Sequence, residues 1–290
     1  MKFSASKALS DSFAILTSRF AAMVPIAVIF TLVPLAIFMF FIGSTFSGLS
    51  QNQGDPRAAL QTILAMAGSS ALIFIAYILV RTAGMCAMCI TAASRQNMSV
   101  GEAIGEGFRA MLPLIGVYLL LILGYIVVGA VLMLTVGLSF MSAFTTAGAD
   151  GPGATSVVAM VLIIPVIMIA MFYLMIKLSL IVPVIAIDKE RSPVGAIKRS
   201  WVLTRGASLK IFLLFLLAAI GATVLSAVLN VVSGGMQFAS PNLAGPASWS
   251  QIALSGISGT VIAMYFIALI VAIHSQLAGP SAAAVSETFA

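Results

Sequence analysis

The chain has 290 residues, 61% of them hydrophobic and 8% charged, with 14 Lys and Arg against 8 Asp and Glu. A soluble domain carries about 25% charged residues, so this composition excludes a water-soluble globule and predicts one integral membrane unit over residues 1–290. The net charge of +6 sits in short segments beside apolar runs, which points to membrane orientation and anionic headgroups and away from nucleic acid.

Residues 1–19 carry Lys2, Lys7 and Arg19 in a helical pattern, and an apolar run of about 27 residues follows. Secretory h-regions are about 7–15 residues long, so a retained first span is expected rather than a cleaved signal. Crossing hydrocarbon takes about twenty helical residues, and six runs qualify: 21–46, 64–92, 110–137, 156–186, 210–233 and 252–276. Pro165 and Pro183 are expected to weaken the fourth run. Cys86 and Cys89 form a C-x-x-C in the second run. With no second cysteine pair, and His274 far along the chain, they read as small packing residues rather than a redox or metal pair.

The connections alternate in character. Residues 47–60, 138–155 and 234–251 hold one cation, Arg57, whereas the N-terminal segment, residues 93–109 and residues 187–210 hold eleven. Eleven against one predicts cytoplasmic N- and C-termini in a multi-pass membrane protein.

A ten-residue phrase recurs on the basic side. It reads SASKALSDSF (Ser4–Phe13), SVGEAIGEGF (Ser99–Phe108) and SPVGAIKRSW (Ser192–Trp201), with starts 95 and 93 residues apart. Each copy has serine first, alanine fifth, leucine or isoleucine sixth and an aromatic tenth. Serine suits a helix N-cap, Glu102 three residues after Ser99 has capping-box spacing, and Pro193 suits a first helical turn. Each phrase is predicted to be an amphipathic helix lying in the interface, the third ended by Gly206. The fold class that follows is an all-α integral membrane protein: six transmembrane helices in three repeats of an interfacial amphipathic helix plus two spans. The repeats are placed near 1–92, 93–186 and 187–280, with 281–290 a flexible cytoplasmic tail.

A second echo lies in the even-numbered runs. Tyr77, Tyr173 and Tyr265 recur, and Arg81 and Lys177 follow the first two by four residues on the same helix face. A cation inside a span is costly and usually serves a purpose. Arg81 and Lys177 are therefore candidates for binding a lipid phosphate in a polar cavity, with snorkelling to the interface as the structural alternative. Lys198, Arg199 and Arg205 join them as candidate headgroup ligands; Tyr77, Tyr173, Tyr265 and Trp201 are candidate groove or interface residues. Asp188 and Glu190 are expected to make exposed pairs of little worth. His274 reads as an interfacial hydrogen-bonder.

No metal-hydrolase, phosphate-loop or nucleophile-elbow motif occurs in the chain. No catalytic residue, metal or cofactor is expected. The segment from Ile185 through Asp188 and Glu190 to Pro193-Val-Gly-Ala-Ile-Lys-Arg-Ser-Trp-Val-Leu-Thr-Arg-Gly206 resembles the glycerophosphoryl diester phosphodiesterase membrane domain family and the YciC-like bacterial inner-membrane proteins. The resemblance covers the membrane part only and implies no phosphodiesterase catalytic domain here. It implies a multi-span helical protein with a role in envelope integrity or lipid handling. The expected function is binding or helping to move anionic (glycero)phospholipids. The alternative is a structural component anchoring a membrane or cytoplasmic protein partner.

Overall fold

A computed structural model describes residues 3–41, 56–94, 98–132, 154–234 and 249–279, and those residues form only helices and turns. In chain order, α1 is Ala5–Phe41, α2 Pro56–Ala93, α3 Val100–Leu132 and α4 Ala154–Leu178. After them come α5 Ile181–Ala186, α6 Pro193–Leu203, α7 Ser208–Gly234 and α8 Trp249–Ala278. Six segments are long and apolar enough to cross a bilayer: Ala5–Phe41, Ala71–Ala93, Val100–Ala130, Pro165–Ala186, Ser208–Leu229 and Gly256–Ala278. The expected tail, residues 281–290, and most of the polar connections fall outside the described residues.

The three serines do cap helices. Ser4 Oγ accepts from Lys7 N–H at 3.5 Å, and Ser192 Oγ accepts from Gly195 N–H at 3.2 Å. Ser99 and Glu102 make the reciprocal capping box: Glu102 N–H donates to Ser99 Oγ at 3.3 Å and Ser99 N–H to Glu102 Oε2 at 3.0 Å. Only the third phrase, however, forms a helix of its own. The first two run without a break into α1 and α3. The difference is chemical: Gly206, in the left-handed region at φ +83°, stops α6 within a Thr204–Ala207 turn. The first two phrases have no such glycine, and Pro25 and Pro113 sit inside continuous helices. Downstream of Pro25, α1 passes through a π-helical stretch, Val28–Leu32.

The fourth run breaks between α4 and α5 at Ser179–Leu180. Pro183 has no N–H for the Ser179 carbonyl and its ring crowds that oxygen. This moves Lys177, expected about ten residues from its helix end, into the last turn of α4.

The fifth and ninth positions of the phrases share one buried face. Ala8, Ala103 and Ala196 are 0%, 1% and 0% exposed, and their partners four residues on, Ser12, Gly107 and Ser200, are buried too. Small residues at i and i+4 let helix backbones approach closely. At Gly107 an added Cβ would lie 2.8 Å from the Ala83 carbonyl oxygen and 2.8 Å from Ala87 Cβ of α2. At Ser200 the hydroxyl donates to the Lys177 carbonyl of α4 at 2.7 Å. Ala8 packs in a cluster with Leu269 and Ile273 of α8. The phrase is thus a docking surface for the end of another span, while its tenth residue (Phe13, Phe108 or Trp201) stays on the surface.

α2, α5 and α8 touch one another pairwise and form the centre, with α1, α3 and α7 outside them. Half of the apolar window of α8 is buried, against 11% of that of α3. Cys86 and Cys89 are free and buried in the central cluster. The outer faces, such as Leu112, Leu119, Leu123 and Ile126 of α3, are exposed and apolar, a surface suited to lipid rather than water.

Candidate functional site

The basic segments gather at one end of the bundle because their contacts tie them together. The Gln276 amide, at the end of α8, lies 3.3 Å from both Ser4 N and Asp11 Oδ2 at the start of α1. Lys210 Nζ, opening α7, donates to the Phe3 carbonyl at 3.4 Å. Arg19 Nη2 donates to the Ser94 carbonyl at 2.6 Å, just past the end of α2, where a cation also complements the helix dipole.

Arg81 and Lys177 lie close to this layer along the helix axes. Gly107 lies against Ala83 and Ala87, so Arg81 is within about one helical turn, about 5 Å, of the level of Arg109. Arg81 is exposed, and its Nη1 donates to Tyr77 Oη at 3.3 Å; Tyr77 in turn stacks on Phe38 at 4.9 Å. Lys177 is only 4% exposed. Its ammonium stands 5.5 Å from the ring centroids of both Tyr173 and Trp201, which themselves meet edge to face at 5.9 Å. Each such cation–π contact contributes about 1 kcal/mol. Tyr265 packs on Phe13 at 5.2 Å.

The structure does not bring Arg81 and Lys177 together. α2 packs mainly on α1, α3, α5 and α8, and α4 mainly on α6 and α7. Arg81 makes a hydrogen bond to Tyr77, and Lys177 makes cation–π contacts with Tyr173 and Trp201, at separate places. Of the other candidates, Lys198 and Arg205 share the exposed face of α6 and its following turn with Val194, Trp201 and Val202. Arg199 is committed to an ion pair.

That ion pair corrects the expectation for Asp188. Its side chain is 12% exposed rather than solvated. Arg199 Nε donates to Asp188 Oδ2 at 2.6 Å, and His274 Nε2, on a ring 5% exposed, lies 3.3 Å from the same oxygen. Burial pushes the carboxyl up. The hydrogen bond and charge of His274, then those of Arg199, outweigh it and hold the group below the ordinary carboxylate range. Asp188 therefore fastens the α5–α6 connection to both α6 and the last span. The other carboxylates described are also engaged: Asp11 at Gln276, Glu102 in its capping box, Glu106 with Arg109 at 2.7 Å, and Glu190 accepting from Ser192 N–H at 3.1 Å.

Beside this fastening lies a shallow, open pocket between α3 and the α5–α6 connection. Its polar lining is Arg109, Lys189, Arg191 and Glu106; its apolar lining is Ala110, Pro113, Ile185 and Ala186. Sequence reasoning counted these cations as topology signals only.

Residues 4–277 match the family described as a domain of unknown function, DUF7847. The chain belongs to that family. No curated protein and no solved structure matches it. The match runs from the first capping serine to within one residue of the end of α8, so it embraces all six apolar segments, the three phrases and the basic layer.

Proposed function

We propose that this DUF7847 member is a non-enzymatic protein of the bacterial inner membrane that binds or helps to move anionic (glycero)phospholipids. Its basic end faces the cytoplasmic leaflet and carries both termini. The observation that carries this reading is the imbalance of charge in the basic layer. Lys189, Arg191, Lys198 and Arg205 are exposed there, while the described carboxylates of the layer are held by capping, amide or ion-pair contacts. Cations at headgroup level attract anionic lipid by about 1 kcal/mol each. The engaged carboxylates, and the single histidine held on Asp188, favour binding over catalysis.

The architecture proposed with it is a pseudo-threefold ring of three repeats. Three packings support it: α2 on α3, α4 on α6, and α8 on α1. In each, the second span of one repeat meets the phrase of the next, and the last closes onto the first. The mutual contacts of α2, α5 and α8 support a common centre for the ends of the three second spans. The relation to the glycerophosphoryl diester phosphodiesterase membrane domain and YciC-like families is proposed on the segment through Gly206 and fits lipid handling.

A second reading, a partner-anchoring component, draws on the exposed Trp201 and Val202 beside Lys198. Native mass spectrometry of the mildly extracted protein separates the two. Retained anionic phospholipid supports the first reading. A stoichiometric protein partner with no lipid preference overturns it.

A further inference from the structure

In the pocket between α3 and the α5–α6 connection, cations of the basic layer converge on a concavity. Arg109, Lys189 and Arg191 line it. Its single carboxylate, Glu106, already accepts Arg109 Nη1 at 2.7 Å, and among the described residues Lys189 and Arg191 have no ion-pair partner.

The chain is built to leave them so. The acidic neighbours on either side of Lys189 are turned to other work: Asp188 binds Arg199 and His274, and Glu190 accepts the Ser192 N–H. Lys189 itself takes a left-handed backbone at φ 55°, the one non-glycine residue with positive φ among those described. That conformation costs a lysine of order 1 kcal/mol and persists only where the surroundings impose it. Here they are the fixed Asp188 on one side and the capped start of α6 on the other. Beneath the cations, Ala110, Pro113, Ile185 and Ala186 supply an apolar floor. Leu112, on the same stretch of α3, is exposed and apolar.

We propose that this pocket is a phosphate-ester site that takes the headgroup phosphate of an anionic phospholipid. Arg109, Lys189 and Arg191 hold the phosphate oxygens, and the glycerol and upper acyl chain lie over the floor and along α3. This rests on the lipid-binding reading above and narrows it to one place. Asp188 acts as a positioning residue, since it fixes the connection that carries two of the three cations without lining the pocket itself.

The test uses the full chain in nanodiscs of zwitterionic lipid doped with anionic phospholipid, with retained lipid counted by native mass spectrometry and affinity by titration. Arg109→Gln, Lys189→Gln and Arg191→Gln should each weaken anionic-lipid binding about fivefold, and the triple variant about a hundredfold. Lys198→Gln with Arg205→Gln removes two headgroup-level cations outside the pocket; it should weaken overall affinity by up to about thirtyfold yet keep the tightly retained lipid that the pocket triple variant loses. Lys189→Gly is the second measure: glycine accepts φ 55° without strain, so it should keep or raise thermal stability while losing the same fivefold. A parallel titration with inorganic phosphate assigns the source: lipid if phosphate competes weakly, free phosphate ester if it binds the pocket alone with comparable affinity. Loss of the same retained lipid in the α6 variant as in the pocket variants would overturn the site while leaving general lipid binding intact. No anionic preference in the wild type would overturn the underlying reading itself.

Discussion

Asp188→Asn isolates the interaction on which the basic end is built. The substitution keeps shape and removes charge. Arg199 at 2.6 Å and His274 at 3.3 Å then lose the charged carboxylate oxygen they share. Hydrogen bonds to charged groups contribute about 1.5–3 kcal/mol each. The Arg199 side chain is 48% exposed, so water recovers much of its share, whereas the His274 ring is nearly sealed. A net loss of about 2 kcal/mol follows, equivalent to about 4–8 °C in a chain of this size. The pH dependence has a defined sign. Asp188 sits below its unfolded value of about 4, so its contribution is complete above that pH and vanishes as pH falls through the lowered folded value. Wild type should therefore lose stability below about pH 4 in a way that the variant, already lacking the term, does not. Thermal unfolding of detergent-solubilised protein, read by size-exclusion fluorescence from pH 3 to 8, measures both effects. A variant as stable as wild type at pH 7, or one with the same acid-side loss, would refute the assignment of Asp188 as a structural clamp.

Further outcomes follow from the docking face of the phrases. Gly107→Ala should destabilise by about 2 kcal/mol because the new Cβ meets helix backbone. Gly105→Ala, with nothing within 4 Å, should stabilise by up to about 1 kcal/mol through helix propensity; thermal midpoints compare the two. Ser200→Ala should cost about 1 kcal/mol by removing the bond to the Lys177 carbonyl. Loosening of α6 from α4 would then appear as faster hydrogen exchange in residues 193–203.

Much of the architecture is legible in the sequence because membrane solvation imposes it. Apolar run length locates the six long helices, although α1 and α3 begin 16 and 10 residues before the expected starts at 21 and 110, and the serines that open the phrases do cap helices. The reason for the phrase was only half visible. Alanine at the fifth position stands out, but its meaning needs the small ninth residue (Ser12, Gly107 or Ser200), whose three identities hide one steric requirement. Whether a phrase forms a separate helix depends on one glycine, Gly206, whose left-handed backbone is a property of the fold. Lys177 was placed too deep because hydropathy does not register the break imposed by Pro183. The Asp188 fastening was least legible. Its partners are 11 and 86 residues away, and an Asp followed by Lys-Glu-Arg looks like any solvated charge run.

The proposed lipid binding depends on which leaflet the basic end meets, and labelling measures that directly. Cysteine is introduced at Lys198 on α6 or at Arg57 in the first turn of α2, in a background whose Cys86 and Cys89 are buried. Intact cells are then treated with a membrane-impermeant thiol reagent. Position 57 should label at once, and position 198 only after permeabilisation. Labelling of both positions in intact cells, or of 198 alone, would contradict a basic end on the inner leaflet.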